Sequence, residues 1–237
     1  MSNKDQKGKI TENDMSSQES SPAEMATGSA STGGGGNPEK NSAGTPKFVS
    51  ETEQDGPLYK FFTNGLKDIY FAEKEIKDGL KKMQEAATTE ELKEAFEDHA
   101  LQTMKHISRL EKVFRIMGED PEAKKCEAIL GILREGEAVI EETEEGSMTR
   151  DAALIIAAQK VEHYEIASYG GLAALAETLQ LSEASNLLHR TLDEEDQTDR
   201  QLTDIAESFI NFAAKRDTDE VEESSSRALK RRGTAVH

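Results

Sequence analysis

Three features of this 237-residue chain predict an all-α fold, a four-helix bundle with a crossover helix between its halves and a disordered tail at each end. Apolar residues recur every three or four positions over four long stretches, strand-type alternation is missing, and every long stretch carries acids or histidines midway along its apolar stripe. The first two features set the class. The third points to the chemistry.

Residues 1–56 are rich in Ser, Gly, Asn, Lys and Glu, include Gly33-Gly34-Gly35-Gly36 and show no period. Such a segment cannot bury enough apolar surface to offset its ordering, and it reads as a disordered polar tail. The bundle domain is expected over 57–214. Its first helix opens at Pro57, where a missing N–H costs nothing, and runs to about Ala86 on a stripe of Leu58, Phe62, Leu66, Ile69, Ile76, Leu80 and Met83. Glu73 interrupts that stripe at its centre.

Thr88-Thr89-Glu90-Glu91 reads as a capping box with Thr88 as the N-cap, opening a second helix that stops at Gly118. Its inner face is Leu92, Phe96, His99, Thr103, His106, Leu110, Val113 and Met117, with Gln102 at the margin. Asp120-Pro121 is expected to start a shorter crossover segment ending near Gly146, weakened by Gly131 and Gly136 by about 1 kcal/mol each. Thr149 can cap the next helix, which runs to about Leu179. The last helix spans Ser182 to about Ala214 on Ala184, Leu188, Leu192, Glu195, Leu202, Ala206 and Phe209, with Thr198 and Asp199 one turn beyond the acid. From 215 to 237 the chain is charged and serine-rich and reads as a second disordered tail.

The order long, long, crossover, long, long is that of the ferritin-like topology, whose members build metal sites from carboxylates and histidines on facing helices. On a helical wheel, Glu162 and Glu165 fall among Ile155, Ala158, Ile166, Tyr169 and Leu172, so both acids are aimed at the core. A buried carboxylate must neutralise, pair or bind a metal. A pair of hard divalent ions needs several carboxylate oxygens and one or two imidazoles. Glu73, Glu162, Glu165 and Glu195 supply the former from three helices, and His99 and His106 the latter from a fourth. Taken singly, each has an ordinary reading: Glu73 can pair with a lysine, and either histidine can be a hydrogen-bonded core residue. His163 lies at the stripe's edge, where it can orient a carboxylate. Tyr164 points away from the bundle axis, and Thr103, Thr191 and Thr198 are placed to bond the preceding turn of helix.

The net charge of −18 argues against nucleic acid and against anionic membrane surfaces as partners, and favours cations. No apolar run is long enough for a membrane helix, and Met1-Ser2-Asn3-Lys4-Asp5 does not open a signal peptide, which with the single cysteine, Cys126, suggests the cytoplasm.

The segment Leu58 to Ala214 resembles the YciF/YciE-type bacterial stress proteins, a ferritin-like family. The likeness rests on Asp68-Ile69-Tyr70-Phe71-Ala72-Glu73-Lys74, on Phe96-Glu97-Asp98-His99, on Arg150-Asp151-Ala152-Ala153-Leu154-Ile155, on the run Ala158 to Gly170 and on Thr191-Leu192-Asp193-Glu194-Glu195. The resemblance implies a homodimer with a dinuclear iron or manganese site and ligands at Glu73, His99, Glu162, Glu165 and Glu195. His106, Gln102 and Asp199 complete the candidate shell. Where the family often places an acid this chain has the amide of Gln102, which removes one charge. The expected function is that of a stress-response protein handling metal or reducing an oxidant, with electrons from an external donor. Whether it is an enzyme stays open at this point, and the competing expectation is a non-catalytic bundle acting as a structural or interaction protein.

Overall fold

The computed structural model describes residues 54 and 56–217, and the expectations for 1–53, 55 and 218–237 lie outside the described residues. Within them are five α-helices and no strand: α1 Pro57–Ala86, α2 Glu90–Met117, α3 Glu127–Glu142, α4 Met148–Thr178 and α5 Ser182–Ile205. The short links 87–89 and 179–181 make hairpins of α1 with α2 and of α4 with α5. The hairpins then pack together, α1 on α4 and α2 on α5, while α3 lies outside against α4 and α1. This is the expected four-helix bundle with a crossover helix, its axis filled by side chains such as Phe62, Ile69, Phe96, Phe114, Leu154 and Leu188.

Pro57 is the first residue of α1, as expected, but Leu58 is exposed and Tyr59 is buried in its place. The N-cap of α2 is Thr89, not Thr88: the Thr89 hydroxyl accepts from Leu92 N–H at 3.4 Å. Thr88 is drawn away because buried Asp151 of α4 accepts from the backbone N–H of Thr88 at 2.6 Å and of Thr89 at 2.8 Å, and the Thr88 hydroxyl donates to the Ser147 carbonyl. A carboxylate from the other hairpin thus does what Glu91 was expected to do. At the far end Gly118 sits in the left-handed region, φ 75°, with its N–H on the Arg115 carbonyl and that of Glu119 on the Phe114 carbonyl.

Residues 119–126 are not helical, so α3 begins later than Asp120-Pro121 predicts. The segment is strapped along α1: Lys124 N–H donates to the Lys67 carbonyl, Lys67 pairs with Glu122 and Lys124 with Asp68. Gly136 is more than a weak point, because it is buried and a Cβ there would lie 3.3 Å from Met83 Cε. Its missing side chain lets α3 approach the hairpins. The Ile140 carbonyl in the last turn of α3 and that of Thr143, the residue after it, accept from the Arg150 guanidinium.

Ser147, not Thr149, caps α4, accepting from Arg150 N–H at 3.1 Å. Met148 N–H donates to Asp217, so helical chain three residues beyond the expected end of the domain contributes to the start of α4. The last helix is also not continuous: a π-helical turn, Ala206–Ile210, follows α5 before helix resumes over 211–217. Ile205, at the end of α5, is buried in place of Ala206, and beyond it the inserted residue shifts the register so that Ile210 is buried where Phe209 was expected. Tyr164 is half-buried, its hydroxyl 3.2 Å from Sγ of Cys126, the residue that precedes α3.

Candidate metal centre

At mid-height of the bundle, Glu73 of α1, His99 and His106 of α2, Glu162 and Glu165 of α4 and Glu195 of α5 are all buried, none more than 3% exposed. The helical periods explain the convergence. His99 and His106 are two turns apart on the inner face of α2, and Glu162 and Glu165 are one turn apart on that of α4. Each helix therefore delivers its polar groups to the same depth.

Two overlapping groups result. His99, Glu162, Glu165 and Glu195 each offer a donor atom, all within 4.8 Å of one another, and Glu73, His106 and Glu195 do likewise. Glu195 belongs to both. Its Oε2 lies 3.4 Å from His99 Nε2 and its Oε1 lies 2.8 Å from His106 Nδ1, so one oxygen faces each imidazole. His99 Nδ1 is 3.2 Å from Glu162 Oε1, and His106 Nδ1 is 3.6 Å from Glu73 Oε1.

Despite this proximity the donors are not satisfied by one another. Glu73 Oε2 and both oxygens of Glu162, Glu165 and Glu195 are buried without a hydrogen bond, as are His99 Nε2 and His106 Nδ1. Buried polar atoms are rarely left so, since each costs about 1–3 kcal/mol or more when charged. The electrostatics follow from the same burial. Loss of water, reinforced by the charge of Glu195, pushes the Glu162 and Glu165 carboxyls well above the usual range and, against the opposing influence of His106, pushes Glu73 up to about 8. For Glu195 burial also works against the charge, but His106 and His99 outweigh it and hold its carboxyl down at about 2. Without cations in the cluster, one ionised carboxylate sits between two imidazoles while its neighbours retain protons.

The donor set of carboxylate oxygens and imidazole nitrogens, unpartnered and aimed inward, is of the kind that could hold metal ions. His99, Glu162 and Glu165 would hold one ion and Glu73 and His106 another, with Glu195, common to both groups, contributing to each. Of the remaining candidates, Asp199 lies at the rim, where its Oδ1 accepts from Gln159 Nε2 at 3.2 Å and is 3.3 Å from Nε2 of exposed His163. Gln102 is half-buried, one turn along α2 from His99. Thr103 and Thr198 bond the preceding turn, on the carbonyls of His99 and Glu194, whereas Thr191 instead accepts from Arg109 at 2.5 Å.

Three residues of the site were not singled out for it by the sequence. Tyr169, buried on α4, donates its hydroxyl to Glu73 Oε1, and burial together with the Glu73 charge keeps it a phenol. Glu194 contacts His106 Nε2 at 2.9 Å and is gripped in turn by Arg109 at 2.9 and 3.0 Å. The available signals were spacings: Arg109 stands three residues beyond His106, and Glu194 four beyond Arg190.

Residues 58–215 match the family model described as a domain of unknown function, DUF892. Over 154 residues the chain is 46% identical to Protein YciF of Escherichia coli (strain K12), a match that covers 65% of this chain and 92% of that protein. The crystal structure of the E. coli stress protein YciF superposes with a TM-score of 0.62 at 44% identity, covering 65% of this chain and 97% of the other. YcfI from Rhodopseudomonas palustris gives 0.61 at 36% identity, covering 66% and 98%. A protein from Xanthomonas campestris pv. campestris, 19% identical with a TM-score of 0.55 over 68% of this chain and 99% of its own, shares the fold. Among the described residues no helix is long and apolar enough to cross a membrane.

Proposed function

Since the chain belongs to the DUF892 family and is a homologue of the stress protein YciF, we propose that it is a stress-response protein holding two iron or manganese ions at the centre of its bundle. The role is metal handling or the reduction of an oxidant such as peroxide. The observation that carries this reading is the set of seven carboxylate oxygens and two imidazole nitrogens that converge, buried and unpartnered, from four helices.

The chain's own residues divide the work. Glu195 spans the two half-sites, and Glu73, Glu162 and Glu165 supply the balancing charge. Tyr169 restrains Glu73 through its hydroxyl, and the enclosing apolar side chains exclude bulk water. When bound, the ions supply a centre able to exchange electrons with an oxidant. With one cysteine in the chain, turnover draws electrons from an external donor. The protein acts as a homodimer in the cytoplasm on this reading, without nucleic acid or membrane partners.

Anaerobic titration with ferrous iron tests it. The native protein should take up about two ions per chain, the count a bundle-core carboxylate site holds, and a Glu162→Ala, Glu195→Ala double variant should lose them. A native protein that binds none refutes the proposal.

A further inference from the structure

The two imidazoles of the cluster are held differently. Both nitrogens of His99 face carboxylates of the cluster itself, Glu162 on one side and Glu195 on the other. His106 turns only Nδ1 inward, and its Nε2 is 2.9 Å from Oε2 of Glu194, an acid that is not among the converging groups. Glu194 can only accept there and is the aligned partner, whereas Nδ1, though 2.8 Å from Glu195 Oε1, makes no aligned hydrogen bond; a neutral ring therefore keeps its proton on Nε2 and turns the Nδ1 lone pair to the space between Glu73 and Glu195.

Glu194 is itself immobilised. Arg109 binds both of its oxygens in a two-pronged pair and anchors on the Thr191 hydroxyl, and Arg190 adds a contact at 3.2 Å. The geometry is written in the sequence: Arg109 follows His106 by three residues, which puts both on one face of α2, and Glu194 precedes Glu195, which turns it out of the cluster towards that face. At His99 the corresponding third position is Gln102, which carries no charge.

We propose that the Arg109–Glu194 pair is a positioning device for His106, fixing its neutral ring as the Nε2–H tautomer so that Nδ1 is available to a metal ion, and that it makes the His106 half-site distinct from the His99 half-site. The inference rests on the metal-site reading for its consequence but not for its geometry. Fixing the tautomer and orientation of a ligand in advance strengthens binding, and loss of such an outer partner weakens it by about 10- to 100-fold.

The test has two arms. In metal-free full-length protein, nitrogen NMR of His106, at a pH high enough for the ring to be neutral, should show the proton on Nε2. Glu194→Ala should abolish that preference, and Glu194→Gln, whose amide oxygen still accepts, should restore it. In the second arm cobalt(II) titration, read by absorption, should show one of two binding steps weakened about 10- to 100-fold in Glu194→Ala and largely recovered in Glu194→Gln. Circular dichroism confirms that both variants are folded. An unchanged tautomer in Glu194→Ala overturns the proposal. So does a changed tautomer with both cobalt steps unaltered. If the native protein binds no cobalt, the proposed function fails instead, and the tautomer arm alone decides whether the clamp on His106 exists.

Discussion

Raising the pH of the metal-free protein from 5 to 8.5 should destabilise it, the opposite of what a protein rich in ordinary paired carboxylates does. A carboxyl whose folded pKa is raised binds more protons in the folded than in the unfolded state, so its contribution is lost as pH rises from the unfolded value towards the folded one. Glu73, pushed up to about 8, and Glu162 and Glu165, pushed well above the usual range, all act in this sense. His106, whose pKa is raised by its acidic neighbours against the effect of burial, adds to the loss as pH rises through its folded value. Glu195, held down at about 2, acts oppositely but only below the ordinary carboxylate range, where its stabilisation is lost as pH falls. The optimum of the metal-free protein therefore lies near pH 5. For Glu73 alone the shift corresponds to at most about 5 kcal/mol. Proton sharing among the acids reduces this, and a total loss of about 2–5 kcal/mol is expected, which in a domain of this size lowers the melting temperature by roughly 5–15 °C. Calorimetry of chelator-stripped protein at constant ionic strength measures it, with a Glu73→Gln, Glu162→Gln, Glu165→Gln variant as the control that should be nearly flat. The native protein loaded with metal should lose this decline and instead gain stability as the pH rises, because metal-bound carboxylates and imidazoles hold none of the protons that the unfolded chain still binds near pH 5. A melting temperature that rises or holds steady from pH 5 to 8.5 in the metal-free native protein would refute the reasoning.

Two further predictions concern single residues. Glu162→Gln removes a buried carboxylate both of whose oxygens lack partners; at pH 7.5 it should raise the metal-free melting temperature, by about 1–3 kcal/mol of added stability, and abolish most of the rise produced by added manganese or ferrous iron. Thermal melts with and without metal decide it, and a destabilised metal-free variant would count against the charge argument. Gln180, between α4 and α5, has a left-handed backbone at φ 59°, with its N–H on the Glu177 carbonyl and that of Leu181 on the Ala176 carbonyl. Gln180→Gly should relieve about 1 kcal/mol of strain, partly offset by the greater freedom of glycine in the unfolded chain, and raise the denaturation midpoint slightly.

The hairpins, the crossover and the depth of the polar cluster were legible in the sequence because they follow from the 3.6-residue period, which is a local property. Pro57 and Gly118 marked helix ends for the same reason: a missing N–H and a left-handed φ are demands that a residue meets by itself. The period also told which side of each helix Glu73, His99, His106, Glu162, Glu165 and Glu195 would face. The family resemblance then singled out five of these six residues as ligands.

What only the tertiary structure decided are the contacts between groups far apart in the chain. Asp151 takes the Thr88 N–H that Glu91 was expected to serve, and the Thr89 N–H beside it, because α4 brings a buried carboxylate to the start of α2. A π-turn at Ala206–Ile210 changes which side chains of the last helix are buried, a register shift that no periodic pattern announces. Asp199 and Glu194 illustrate the limit most plainly. Both lie near Glu195 in sequence, yet one ends at the rim with Gln159 and His163 and the other clamps His106 with Arg109. A helical wheel gives the direction of a side chain from its own axis. Whether a metal, a cation or water meets it there depends on the neighbouring helix, and that is settled only when the hairpins pack.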